Sequence, residues 1–243
     1  MVNAKNVFID YYLLDFVILG ILIAIWIFLN GINPKHLYVP KGDSRNSYPH
    51  YNSGITETQN LIVVVGIPYF IYILLYILFK AKCKINYFQP FDLLFTLICH
   101  MTSITLSNII ANVIKIQVGR PRPDFFSLLG ENATSESKCP EDMPRKKFNE
   151  EFKSFPSGHS ASAMSGSLFL IIFLMKGIVK HYLWIRILIF CIFIYPFMVG
   201  CTRITEHRHH TDDVVMGFFI GSIFPILFFL CDSEKIFRNS AFP

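Results

Sequence analysis

A chain of 243 residues is long enough for one or two soluble domains, yet 53% of it is apolar, only 16% is charged, and Phe alone occurs 25 times. Soluble domains carry about 25% charged residues, so this composition excludes an ordinary water-soluble fold. The formal charge of +5 is small and scattered; it gives no reason to expect a nucleic-acid partner and suits a membrane protein that meets anionic lipid.

A bilayer-spanning helix needs about 20 mostly apolar residues. Six segments qualify, at 12–29, 61–79, 91–114, 160–175, 182–201 and 214–230. The first has Asp10 and Asp15 ahead of its core and no small-residue cleavage site behind it, so it reads as a permanent signal anchor. Pro68, Pro196 and Pro225 fall within apolar segments, where kinks are tolerated. The fourth segment is short and rich in Ser, Ala and Gly, which places it inside the bundle. The expected fold is all-α: one polytopic membrane domain over residues 1–243, with six transmembrane helices and its site at one membrane face.

Six spans put both termini on one side, and the opposite side receives 31–60, 115–155 and 202–213. Within these, 130–151 is polar and turn-prone and is expected as a flexible surface loop. The tract 41–58 is similar, although Asp43, Tyr48 and Pro49 suit an ordered lid. The loops 80–90 and 176–181 hold five lysines and no acid, which favours the cytosol for that side. Lys35, Lys41 and Arg45 on the other side blur that count. Asn132-Ala133-Thr134 is a glycosylation acceptor and favours a lumenal or extracellular motif side. The chain's last residues, Ala241-Phe242-Pro243, carry no retention signal, which leaves plasma membrane, endoplasmic reticulum and Golgi open. Cys99, Cys191 and Cys231 read as buried thiols, Cys83 lies in a lysine-rich loop and Cys139 in a polar one. With no CxxC pair, a disulfide framework is not expected.

Ionisable residues at a membrane border point to function. Three stretches of the motif side concentrate them: 115–123, 156–159, and Thr202-Arg203 with His209 and Asp213. Transferring a phosphoryl group spreads charge over three oxygens, so catalysis is mostly positioning and electrostatics. Arg122 and Arg203 supply planar forks for those oxygens and Lys115 a point charge. Pro121 and Pro123 stiffen the segment around Arg122, while Arg120 is the weaker phosphate ligand and can face the headgroups. Ser157 and Gly158 precede a helix, where amides and a hydroxyl face an anion. His209 stands four residues before Asp213, so a carboxylate can orient the imidazole as nucleophile. His159 then serves as acid for the leaving alcohol and base for water, and the scheme uses no metal or other cofactor.

The same residues resemble the type 2 phosphatidic acid phosphatase superfamily, in its lipid phosphate phosphatase branch. Lys115 to Arg122-Pro123 matches Lys-x6-Arg-Pro, 156–159 matches Pro-Ser-Gly-His, and Arg203, His209 and Asp213 match Ser-Arg-x5-His-x3-Asp. Gly119, Arg120 and Phe125 match the branch's longer first block, and 43–50 resembles its first outer loop. Thr202 stands where the family has Ser, keeping the hydroxyl and adding a methyl. The resemblance implies a metal-independent phosphohydrolase with a lumenal or extracellular site. His209 is then the nucleophile, Asp213 its orienting partner and His159 the acid, with Lys115, Arg122, Ser157, Gly158 and Arg203 on the phosphate. Its implied substrates are phosphatidate, lysophosphatidate, sphingosine phosphate and ceramide phosphate within the bilayer; self-association stays open. The alternatives are a polyprenyl diphosphate phosphatase, a sugar phosphatase (though these usually have more spans), a catalytically silent scaffold, and a metal site built from Glu206, His207, His209, His210, Asp212 and Asp213.

Overall fold

The computed structural model describes residues 4–52, 54–81, 88–134, 137, 139–141, 143–178 and 183–237, with side chains from Tyr12 onward. Most of the lysine-rich loops, Cys83 and residues 241–243 lie outside the described residues. The described chain is helical, with one isolated bridge between Phe88 and Ile178 and no strand. Six helices are long and apolar enough to cross a membrane: α1 Ala4–Asn30 (apolar from Tyr12), α2 Glu57–Lys80, α3 Leu93–Val118, α6 Gly158–Gly177, α7 Leu183–Thr205 and α8 Thr211–Cys231. Two short helices, α4 Phe125–Leu129 and α5 Arg145–Glu150, lie between α3 and α6, and α9 Ser233–Ile236 follows α8. This is an integral membrane protein of the expected all-α class.

Small residues put α6 at the centre. Of its 20 residues, 14 are buried, and it packs on α2, α3, α7 and α8, most extensively on α8. A Cβ on Gly221 of α8 would stand 2.3 Å from the Ala161 carbonyl, and one on Gly217 2.6 Å from that of Ser157. Such backbone approach gives dispersion contact where no hydrophobic drive exists between helices in lipid. By contrast α1 packs principally on α3, and α1, α2 and α7 turn many large apolar side chains outward to the lipid.

The bundle is divided along its length. The inner half is aromatic: Tyr72, Phe88, Phe91, Phe169 and Phe173 are buried together, with Phe91 edge-on to Phe173 at 5.0 Å. Toward the motif side the interior turns polar but paired. Asn60 Nδ2 donates to Ser162 Oγ at 2.9 Å, Tyr195 Oη donates to Asn60 Oδ1 at 2.9 Å, and the Ser103 and Ser165 hydroxyls meet at 2.9 Å. Between the halves, α2 makes a π turn at Ile62–Gly66. His100 Nε2 donates to the Val64 carbonyl there at 3.0 Å, and Gly166 makes room for the bulged Val64, whose Cβ lies 2.7 Å from where a Cβ would sit. A buried carbonyl displaced from its helix needs such a donor.

Two sequence expectations are corrected. The described part of 130–151 is not a free surface loop: it ends in α5, and Ala133 and Phe148 pack with Phe125, Phe126, Phe152 and Val39 in one cluster. Its polar residues hid the aromatic anchors. Cys99 is buried, but Cys191 and Cys231 are on the outer face of the bundle, because an apolar run in a membrane helix gives no reason to face inward.

Candidate active site

The outer ends of α3, α6, α7 and α8 converge, as the even spacing of spans requires. Helix α3 stops at Gly119, whose left-handed φ of 60° lets its amide bond the Lys115 carbonyl at 3.0 Å. Any Cβ there would overlap the Lys35 carbonyl, because 35–37 pairs with this turn through Lys35 N–Ile116 O and Leu37 N–Gly119 O, both 2.9 Å. The segment after Gly119 then runs beside the one before α6, with Arg122 N on Glu151 O at 2.9 Å and Ser154 N on Arg120 O at 3.0 Å. The Arg203-x5-His209 spacing also has a physical reason. The chain leaves α7, turns at His207 with φ 54°, and returns so that the amides of Arg208 and His209 donate to the Arg203 carbonyl.

These joins enclose a cavity of about 280 Å³ at the outer end of the bundle. Lys115, Arg122, Gly158, His159, Arg203 and His209 all line it. Gly158 begins α6, so the cavity sits at a positive helix end. A Cβ on Gly158 would lie 3.2 Å from Lys115 Nζ, so the missing side chain leaves room for the ammonium. Arg122 is 9% exposed; its Nε donates to the Glu150 carbonyl at 2.8 Å. Burial and then Arg208 lower its pKa, against Glu151, Glu150 and Asp124. Arg203 pairs with Glu206 at 2.8 Å. The Nε2 of His159 is buried and has no protein partner.

His209 is 3% exposed and its Nδ1 donates to the Ser154 carbonyl at 2.7 Å. A carbonyl only accepts, so the contact fixes the tautomer and leaves Nε2 with its lone pair. Burial pushes the His209 pKa down to about 3; the nearby Asp213 carboxylate opposes this, and Arg122 and Lys115 add to the fall. The ring is therefore neutral at pH 7. Asp213 Oδ2 lies 3.7 Å from His209 Nδ1. Its nearer partners are Ser154 Oγ at 2.5 Å, His210 N at 2.8 Å and Arg120 Nη1 at 2.8 Å. Asp213 thus holds Ser154 and the head of α8, and reaches His209 mainly through them.

Ser157 is placed one step behind the cavity wall. Its hydroxyl accepts from Ser160 N and Oγ at 3.4 and 3.0 Å, and its amide donates to the Asp213 carbonyl at 2.9 Å. Arg120 does not reach for headgroups: it binds Asp213 and Asp212. Thr202 turns its hydroxyl to the Val199 carbonyl of its own helix at 2.8 Å, away from the cavity. The six acids and histidines at 206–213 disperse, with His207 on Pro49 O, His210 on Pro121 O and Glu206 on Arg203. No group of three gathers for a metal among the described residues. Asn132 is exposed.

Other wall residues were not singled out from the sequence: Asn108 and Asn112 of α3, Trp26 and Asn30 of α1, Glu57, and Glu150 and Lys153 before α6. Asn108, Asn112 and Lys115 do carry a signal, since spacings of four and three put them on one helix face. Ser154 carries none, because it acts through a backbone carbonyl.

A sequence profile of the PAP2 superfamily matches residues 96–237. The chain is 28% identical over 225 residues to lipid phosphate phosphatase 1 of Arabidopsis thaliana, covering 86% of this chain and 64% of that protein. It is 29% identical to lipid phosphate phosphatase 2 of the same plant, covering 87% and 73%. Over 136 residues it is 29% identical to phospholipid phosphatase 1 of Rattus norvegicus, covering 50% and 46%. This chain thus falls short of its plant relatives' full length. No solved structure matches. The profile spans the outer-end loops and the four helices that carry the cavity's cations and both its histidines, and the chain belongs to the PAP2 superfamily.

Proposed function

We propose that this chain hydrolyses lipid phosphates without a metal, through a phosphohistidine on His209. One observation carries the reading: two imidazoles, one with a fixed tautomer and one with an unpartnered nitrogen, line a single cationic cavity at the end of a membrane bundle. In the first step His209 Nε2 attacks phosphorus, the P–O bond to the lipid alcohol breaks, and His159 gives its proton to the departing oxygen. In the second, water attacks phosphorus, the P–N bond breaks, and His159 takes the water proton. Lys115, Arg122 and Arg203 neutralise the phosphoryl oxygens, with Gly158 at the helix start.

The relatives' names support a lipid phosphate, phosphatidate among them; the family resemblance extends the expected substrates to lysophosphatidate, sphingosine phosphate and ceramide phosphate, reached from the lumenal or extracellular leaflet. The test is phosphate release from phosphatidate by purified protein in excess EDTA, beside His209→Ala. We expect release from the wild type and a loss of at least about 10⁴-fold in the variant. Release only on adding a divalent metal would defeat the metal-free scheme. Release from a polyprenyl diphosphate alone would replace the substrate class, and no release from any ester would leave a silent relative.

A further inference from the structure

Two carboxylates line the cavity, the wrong sign for an anion site: Glu57 and Glu150, of which Glu150 is ion-paired to two of its cations. Glu150, the last residue of α5, lines it beside Arg122 and Lys153. One carboxylate oxygen lies 3.0 Å from Lys153 Nζ and the other 3.8 Å from Arg122 Nη2. The cations are held without it. Lys153 Nζ also donates to the Asn30 carbonyl at 3.2 Å, and Arg122 Nε to the main-chain carbonyl of Glu150 at 2.8 Å. Their side chains are 8% and 11% exposed, whereas that of Glu150 is 35% exposed. The carboxylate has one firm contact, one long one and an open side. Burial raises its pKa, but Lys153, Arg122 and Lys115 outweigh this and hold it below the usual carboxylate range, so it is ionised at pH 7. An ionised carboxylate and a phosphate dianion repel strongly at the same two cations.

We propose that Glu150 is a resident counter-anion, which phosphate displaces from Lys153 and Arg122 on binding and which returns as phosphate leaves. Lys153 is then a phosphate ligand outside the three motifs. The proposal rests on the phosphatase reading above and adds to it a reason for product release. The empty cavity keeps its cations compensated, and free phosphate meets a competitor at every turnover.

The experiment is calorimetric titration of inorganic phosphate into the purified full-length protein in detergent and excess EDTA. Glu150→Gln is expected to bind about fivefold more tightly, the worth of a partly exposed ion pair. Lys153→Met is expected to bind about tenfold more weakly, as for loss of a charge-assisted bond. Glu150→Asp keeps the charge and should stay nearer the wild type than Gln does. Glu131→Gln, an exposed change of the same sign that lines no part of the cavity, should lie within about twofold of wild type. In phosphatidate turnover, Glu150→Gln should lower KM without raising kcat. Unchanged or weaker phosphate binding by Glu150→Gln overturns the exchange, as does equal tightening by Glu131→Gln. Failure of the phosphatase reading looks different: lipid turnover is absent while the binding ratios persist.

Discussion

Residues around His209 divide into those that hold its proton and those that hold its holder. Ser154 does both, with its carbonyl on His209 and its hydroxyl on Asp213. Ser154→Ala removes only the hydroxyl, so the tautomer survives; we expect a loss of about 1 kcal/mol of stability and less than about tenfold in kcat. Asp213→Asn strikes harder. Asp213 is fully buried and accepts from Arg120, Ser154 and His210 N, so removing its charge breaks a buried network and leaves Arg120 with Asp212 alone. We expect about 3 kcal/mol lost and kcat down by at least about 100-fold. Thermal unfolding in detergent and steady-state turnover of both variants check this, and equal effects would show that Asp213 acts on His209 through the Ser154 hydroxyl alone. The His209–Asp213 spacing made the pair visible in the sequence. The Ser154 carbonyl between them was invisible, since a backbone acceptor has no residue signature.

At the scale of elements, glycines do two different jobs on one helix pair. Gly158 at the head of α6 faces the movable tip of Lys115, whereas Gly221 of α8 faces the rigid Ala161 carbonyl. Gly158→Ala should therefore leave stability within about 1 kcal/mol and weaken phosphate binding, as the ammonium is pushed aside. Gly221→Ala should cost about 1–3 kcal/mol by parting α6 from α8, with phosphate affinity kept in the folded fraction. Melting curves set beside phosphate titrations separate the two. The six spans were legible because lipid demands long apolar helices, and the burial of α6 because small residues have one use there. Helix α5 was not. Its six residues are Arg, Lys, Lys, Phe, Asn and Glu, and the sequence pattern does not show that Phe148 docks beside Phe152.

The whole molecule registers pH through groups that the fold keeps uncharged. The His209 pKa is 6.5 when exposed and about 3 in place. As pH falls from 6.5 toward 3, the unfolded chain takes a proton that the fold refuses, so stability falls across that window and is complete above it. His210, lowered mainly by burial, acts in the same direction. We expect the midpoint of thermal unfolding to drop between pH 7 and pH 4, and His209→Gln to flatten part of that drop. Parallel pH curves for the two proteins would show that His209 is not the group concerned.

The first outer loop braces the site without touching the cavity. Asn46 bonds the Arg122 carbonyl at 2.7 Å, Tyr48 N the Pro123 carbonyl at 3.0 Å, and His50 meets Asp124 at 2.6 Å. Beyond them, Gly54 N reaches Glu206 at 2.6 Å. Yet Arg45, next to the buried Asn46, exposes 75% of its side chain. A trypsin cut after Arg45 would sever the brace while sparing every motif. In sealed vesicles of known sidedness, the leaflet from which trypsin silences the protein is the leaflet that the cavity opens to.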